Sequence, residues 1–146
     1  MVVADVTVKG VNRMAEFVNS VNQTIAVGEN VRFDTTVVDP CPVVTHRKGS
    51  GLFNIKGGHK FIVAFSANLA GATAETELDL AIAVNGEPLP YTTVASTPAV
   101  VDLFNAVSVV TEIVTPCNCC TQISVQNIGT TPVTVASANL VLVRED

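Results

Sequence analysis

The sequence has no tryptophan, a single tyrosine and few charges. Only 14% of its 146 residues are Asp, Glu, Lys or Arg, against about 25% in an average soluble domain. Between Lys60 and Arg144 there is no cationic side chain, and from Pro88 to Val143 the only charges are Asp102 and Glu112. With a net charge of −5, the chain lacks the clustered Lys and Arg on which nucleic-acid affinity rests, so no nucleic-acid partner is expected. No apolar run approaches the ~18 residues that read as a membrane span. The opening Met1-Val2-Val3-Ala4-Asp5 has no basic segment leading into an apolar one, so it is not read as a secretory signal. A phosphate-cradling glycine loop and a dinucleotide fingerprint are also missing. Disorder is excluded from the other side, because 48% of the residues are hydrophobic.

Val and Thr are abundant, and both favour a pleated, half-buried surface. In Phe61-Ile62-Val63-Ala64-Phe65-Ser66-Ala67-Asn68-Leu69 the odd-numbered residues share one face, the period of a strand. Leu78–Val84, Ala106–Thr115, Thr121–Asn127 and Pro132–Val143 read in the same way. Asn85-Gly86 predicts a type I′ hairpin turn. Gly57-Gly58 separates Leu52–Lys56 from the strand beginning near Lys60, and Gly28-Glu29-Asn30 separates Thr24–Val27 from Val31–Val38. Nine or ten short strands with regular turns predict an all-β sandwich or jelly roll. A surface so poor in charge is read as partly covered by copies of the same chain, because interface cores are depleted in charge.

The N-terminal segment differs. Val11, Met14, Phe17, Val18 and Val21 fall at helical spacings, so residues 1–22 are read as an appended arm or short amphipathic helix, followed by the strand-rich body at 23–146. Met14, Phe17, Val18 and Val21 form an apolar stripe that must be buried, either against its own body or in a cleft of another protein.

Candidate chemistry is sparse. Cys117 and Cys120 have zinc-type spacing, and Cys41, Cys119, His46 or His59 could complete a site. The favoured reading is free, mostly buried thiols, with a disulfide or a metal as alternatives. His46, Arg47, Lys48, Lys56 and Lys60, together with His59, hold half of the cationic side chains and could converge on an anionic partner if the segment between them forms a hairpin. Solvated loop charge is the plainer reading. Glu75, Glu77, Asp79 and Glu87 lack the glycine-hinged loop of a calcium binder and are read as keeping a strand edge soluble. Asn22-Gln23-Thr24 matches a glycosylation acceptor, which has no meaning without secretion. Neither histidine has a partner nucleophile in a recognisable motif, so no catalytic residue, metal or cofactor is assigned.

The order Val31–Val38, then His46-Arg47-Lys48-Gly49-Ser50-Gly51, then Phe53-x-Ile55-x-Gly57-Gly58-x-x-Phe61-x-Val63-x-Phe65 resembles the jelly roll of tumour necrosis factor and complement heads. Leu80-x-Ile82-x-Val84-Asn85-Gly86-Glu87-Pro88 and Ser137–Val143 extend the resemblance. More narrowly, the blocks His46–Gly51, Asn85–Pro88, Cys117–Cys120 and Asn139–Val141 are similar to those of small jelly-roll proteins of Gram-positive bacteria and their phages. The resemblance implies a ten-stranded, TNF-like jelly roll that assembles as a homotrimer. The Gly-X-Y repeat of stalked members is absent from the sequence. The function expected is that of a non-enzymatic structural virion protein, a phage capsid decoration or head-fibre trimer. Its expected partners are copies of itself and the major capsid protein or another virion protein, and its place is the capsid surface after synthesis in the bacterial host cytoplasm. The alternative is a receptor- or glycan-binding head of a phage fibre or of a bacterial or spore surface protein.

Overall fold

The computed structural model describes residues 7–8, 11–12, 14–38, 43–116 and 120–145. Among them the strands are, in chain order, β1 (Thr7–Val8), β2 (Val11–Asn12), β3 (Met14–Val18), β4 (Gln23–Ile25), β5 (Thr35–Val38), β6 (Val44–His46) and β7 (Phe53–Ile55). They continue with β8 (Lys60–Ala70), β9 (Leu78–Val84), β10 (Glu87–Pro88), β11 (Val94–Ser96), β12 (Asn105–Val114), β13 (Thr121–Asn127) and β14 (Val133–Arg144). A single 3-10 turn, Pro90–Thr92, interrupts the run between β10 and β11.

Two antiparallel sheets face each other. Sheet I has the order β10-β9-β13-β7-β6, with β11 also on β9. Sheet II has the order β12-β8-β14-β3-β5, with β4 also on β14. The strands β10 and β11 follow one another along β9, with Pro88 opposite Ala83 and Val94 opposite Leu80. In the same way β3 and β4 follow one another along β14, with Val18 opposite Asn139 and Gln23 opposite Val135. Each such pair fills one position, so the sandwich has ten strand positions in jelly-roll order. The short β1–β2 ladder stands apart from both sheets.

Period-two burial builds the core. Phe61, Val63, Phe65 and Leu69 of β8 face inward at 0–1% exposure, with Phe53 and Ile55 of β7 and Leu140 and Leu142 of β14. The turn chemistry is as anticipated at Asn85-Gly86, where both residues have positive φ, 52° and 84°. Asn127, buried on β13, ties the ends of three segments together. Its Nδ2 donates to the carbonyls of Ile25 and Thr131, and its Oδ1 accepts from Gly129 N–H.

The N-terminal reading needs correction. Met14–Val18 is neither helix nor free arm but a central strand of sheet II, paired with β14 on one side and β5 on the other. The strand splits the apolar residues that keep a helical spacing: Phe17 lies on one face, Met14 and Val18 on the other, and Val21 is exposed beyond its end. Ala15 and Phe17 point into the core at 0% exposure, while Met14, Glu16 and Val18 lie on the outer side. The next turn is pinned as well: Asp34 accepts from Ser20 N–H and Oγ, and Asp34 N–H bonds Val18 carbonyl. The Ser20 hydroxyl is the main cause holding the Asp34 carboxyl below its usual range. The jelly roll therefore includes Met14–Val18, and a boundary at residue 22 does not separate it from an arm.

Candidate binding surfaces

The six residues at 46–51 form one locked loop. Arg47-Lys48-Gly49-Ser50 is a turn closed by Ser50 N–H to Arg47 carbonyl at 2.9 Å, with Gly49 at φ 84°. Gly49 N–H and Phe33 carbonyl, and Phe33 N–H and Ser50 carbonyl, bond the loop to the segment before β5. A Cβ at Gly51 would stand 2.7 Å from the Val31 carbonyl oxygen, so only glycine passes there. His46 stacks on Phe53 at 4.3 Å and 13°, and tilts against Phe17 at 4.9 Å. Its Nε2 lies 2.8 Å from the Ser50 carbonyl, which can only accept, so Nε2–H donates. Burial holds the His46 pKa below its ordinary value. The block His46–Gly51 is thus a packing and hydrogen-bonding unit that carries Arg47 and Lys48 outward.

The hairpin does not bring the cations together. The hairpin is β6–β7, with Val44 opposite Ile55 and His46 opposite Phe53. The segment at Gly57-Gly58 instead carries the chain from sheet I to sheet II. Arg47 and Lys48 lie beyond one end of the hairpin and Lys56 beyond the other, about 13 Å away at ~3.3 Å per residue. Lys60, with His59, opens β8 beside Glu145, whose N–H bonds the Lys60 carbonyl. Buried Thr115, which no motif singles out, holds that crossover. Its Oγ1 accepts from His59 N–H and lies 3.3 and 3.1 Å from the carbonyls of Lys56 and His59.

Beside the locked loop, Thr45, His46, Arg47, Leu52 and Asn54 line a groove of about 360 Å3 on the outer side of sheet I. The rest of that face is polar or small. Register places Thr45, Asn54 and Gln122 in one row, Ser124 with Ala83, and Gln126 with Ala81.

The outer side of sheet II is largely apolar over two rows and polar in the adjoining one, where Ser108, Ser66 and Asn139 align. Val110, Ala64, Val141, Glu16 and Val38 form one row, and Glu112, Ile62, Val143 and Met14 the next. Val110 and Val114 are 67% and 60% exposed, and Ile62 37%. Among the described residues, charge on this face is limited to Glu16, Glu112 and Lys60, and Glu16 is engaged by Asn139 Nδ2 at 2.6 Å. Its edge strand β12 pairs with β8 alone within the sheet. Near the centre, a β-bulge between Ala136 and Asn139 puts Ser137 at φ 55°.

The remaining candidates separate. Of the cysteines, Cys120 is free and exposed rather than buried, and Cys41, Cys117 and Cys119 lie outside the described residues. Among the described residues no three His, Cys, Asp or Glu side chains group as metal ligands. Asp79 and Glu77 do meet. Burial first, and then the hydrogen bond and repulsion of Glu77, push the Asp79 pKa up to about 6. Asp79 Oδ1 is buried with no hydrogen-bond partner.

These features define an antiparallel jelly-roll sandwich with one polar outer face and one that is apolar in part. The sequence matches no protein-family model and no curated protein. The structure is similar to Eiger TNF from S. frugiperda, with a TM-score of 0.72 and 11% identity over 91% of this chain and 92% of that one. It is also similar to the globular domain of zebrafish complement 1qA, with a TM-score of 0.61 and 13% identity over 88% and 94%. Murine APRIL at pH 5.0 has a TM-score of 0.61 and 10% identity over 89% and 97%. The fold is the jelly roll of the TNF and complement-head type.

Proposed function

We propose that the protein is a non-enzymatic structural component of a virion, a homotrimeric jelly-roll head mounted on the capsid surface as a decoration or head-fibre trimer. The observation that carries the self-association is the outer face of sheet II. A monomer would leave Val110, Val114 and Ile62 in water beside a ten-residue edge strand that bears one charge. Covering that face with copies of the same chain accounts for the absence of cations from residue 61 to 143. The virion setting rests on the sequence blocks His46–Gly51, Asn85–Pro88, Cys117–Cys120 and Asn139–Val141. The partner is then a major capsid protein or another virion protein. Because Phe17 is core and Met14–Val18 is sheet, attachment falls to the chain ahead of Met14, with Val21 as an exposed neighbour at the next turn.

Light scattering coupled to size exclusion is expected to give about three times the 15.2 kDa chain mass. Peptide mass spectrometry of purified particles is expected to find the chain in stoichiometric amount. Deleting residues 1–13 is expected to leave the oligomer intact and abolish particle binding. A concentration-independent monomer, or absence from particles, would overturn the reading. The rival, a receptor- or glycan-binding head, is favoured by one observation, the groove beside Arg47 on the opposite face.

A further inference from the structure

We propose that the groove at the end of the β6–β7 hairpin binds a single acidic sugar, a ring that carries a carboxylate or phosphate. Three chemistries meet in it. Arg47 supplies a planar fork of donors that matches a carboxylate or phosphate in two-point contact. Thr45 and Asn54, directly opposite on β6 and β7, set a hydroxyl and an amide side by side, and both can donate and accept towards ring hydroxyls. Leu52, 37% exposed, gives an apolar wall for the C–H face of a sugar ring.

Among the described residues no carboxylate lines the groove, so an anion meets no repulsion from those walls. At about 360 Å3 the groove lies near the low end of ligand pockets, roughly 300–1,000 Å3, which suits one ring rather than a chain. It is also preorganised, because the stack of His46 on Phe53, the Nε2–H bond to Ser50 and the Gly49 and Gly51 backbone contacts fix the turn that carries Arg47. It opens on the outer side of sheet I, away from the apolar face of sheet II, so self-association leaves it open. The site does not depend on shell attachment. In a multimer, several weak grooves would act together through effective concentration.

The test is a titration of the isotope-labelled full chain, followed by amide chemical shifts, with glucuronic acid, glucose 6-phosphate and glucose. Acetate and inorganic phosphate serve as bare-anion controls. At least one acidic sugar is expected to bind with a millimolar Kd and shift the amides of residues 45–54. It should bind about tenfold or more tightly than glucose and than the matching bare anion, and which acidic sugar binds decides between carboxylate and phosphate. Arg47→Gln is expected to weaken binding by about tenfold or more, and Lys48→Gln, a neighbouring cation outside the groove, by no more than about twofold. The proposal is overturned if neither acidic sugar binds, if the bare anions bind as well as the sugars, or if Arg47→Gln leaves the affinity unchanged. Light scattering on the same samples reports the oligomer separately, so failure of this site and failure of the assembly are distinguishable.

Discussion

The two outer faces of this sandwich are built by the same backbone pattern and carry opposite chemistry. On sheet I the outward positions include exposed Thr45, Asn54 and Gln122, half-buried Gln126, and buried Ser124, Ala81 and Ala83. On sheet II they include Met14, Ile62, Val110, Val114, Val141 and Val143, with Glu16, Glu112 and Lys60 among them and Ser66, Ser108 and Asn139 in the adjoining row. The inward faces of both sheets are mainly apolar, so the difference between the outer faces contributes little to closing the sandwich. It leaves apolar groups exposed on one side of the molecule, and the proposed self-association would cover them.

The comparison is sharpest under substitution. Paired Ile62→Glu and Val110→Glu substitutions are expected to reduce the scattering mass from the oligomer to a single chain, since they set like charges within a desolvated interface. Gln122→Glu on sheet I is expected to leave the mass unchanged. An equal effect of both changes would remove the distinction between the faces. Next in size is Phe17→Ala, expected to cost about 3–5 kcal/mol in denaturant unfolding, as for a fully buried aromatic. A loss below about 1 kcal/mol would return Met14–Val18 to the status of an appendage.

Asn127→Ala is expected to cost about 1–3 kcal/mol, because it leaves the Ile25 and Thr131 carbonyls and the Gly129 N–H short of a partner. The smallest effect concerns Asp79 at the rim of sheet I. Its folded pKa is raised from 3.8 to about 6, so folding favours the protonated form. That preference is without cost below pH 3.8, and the protein loses stability as pH rises from there to about 6, with no further change above. Asp79→Asn is therefore expected to stabilise by about 1 kcal/mol at pH 7, after allowance for solvent screening, and by much less at pH 3.5. A pH-independent effect would place the cause in packing instead of charge.

Much of the fold was legible because strand signals are local. Thr121–Asn127 and Leu78–Val84 match their expected bounds, and the Asn85-Gly86 turn has the positive φ values that its residues favour. The segment Met14–Val21 reads as a helix because four of its apolar residues keep a helical spacing, while its strand pattern rests on Ala15 and Phe17 alone, and only pairing with β14 and β5 decides between them. His46, Arg47 and Lys48 were visible as a charged block. Their separation from Lys56 was not, because Gly57-Gly58 looked like a hairpin turn and is a crossover between sheets.

The sequence by itself determined that the chain is all-β, rich in turns, closed around apolar strands and short of charge, because composition and period-two alternation are properties of neighbouring residues. Which outward residues share a face was decided only by the tertiary structure. Val110, Ala64, Val141 and Glu16 come from four strands, and their row exists only once the antiparallel register is set. The groove at Arg47 likewise needs Phe17 and Phe33 behind the hairpin, and those contacts join residues that are distant in the chain. Long-range register carries no local signal, so the apolar face and the groove are both products of the fold.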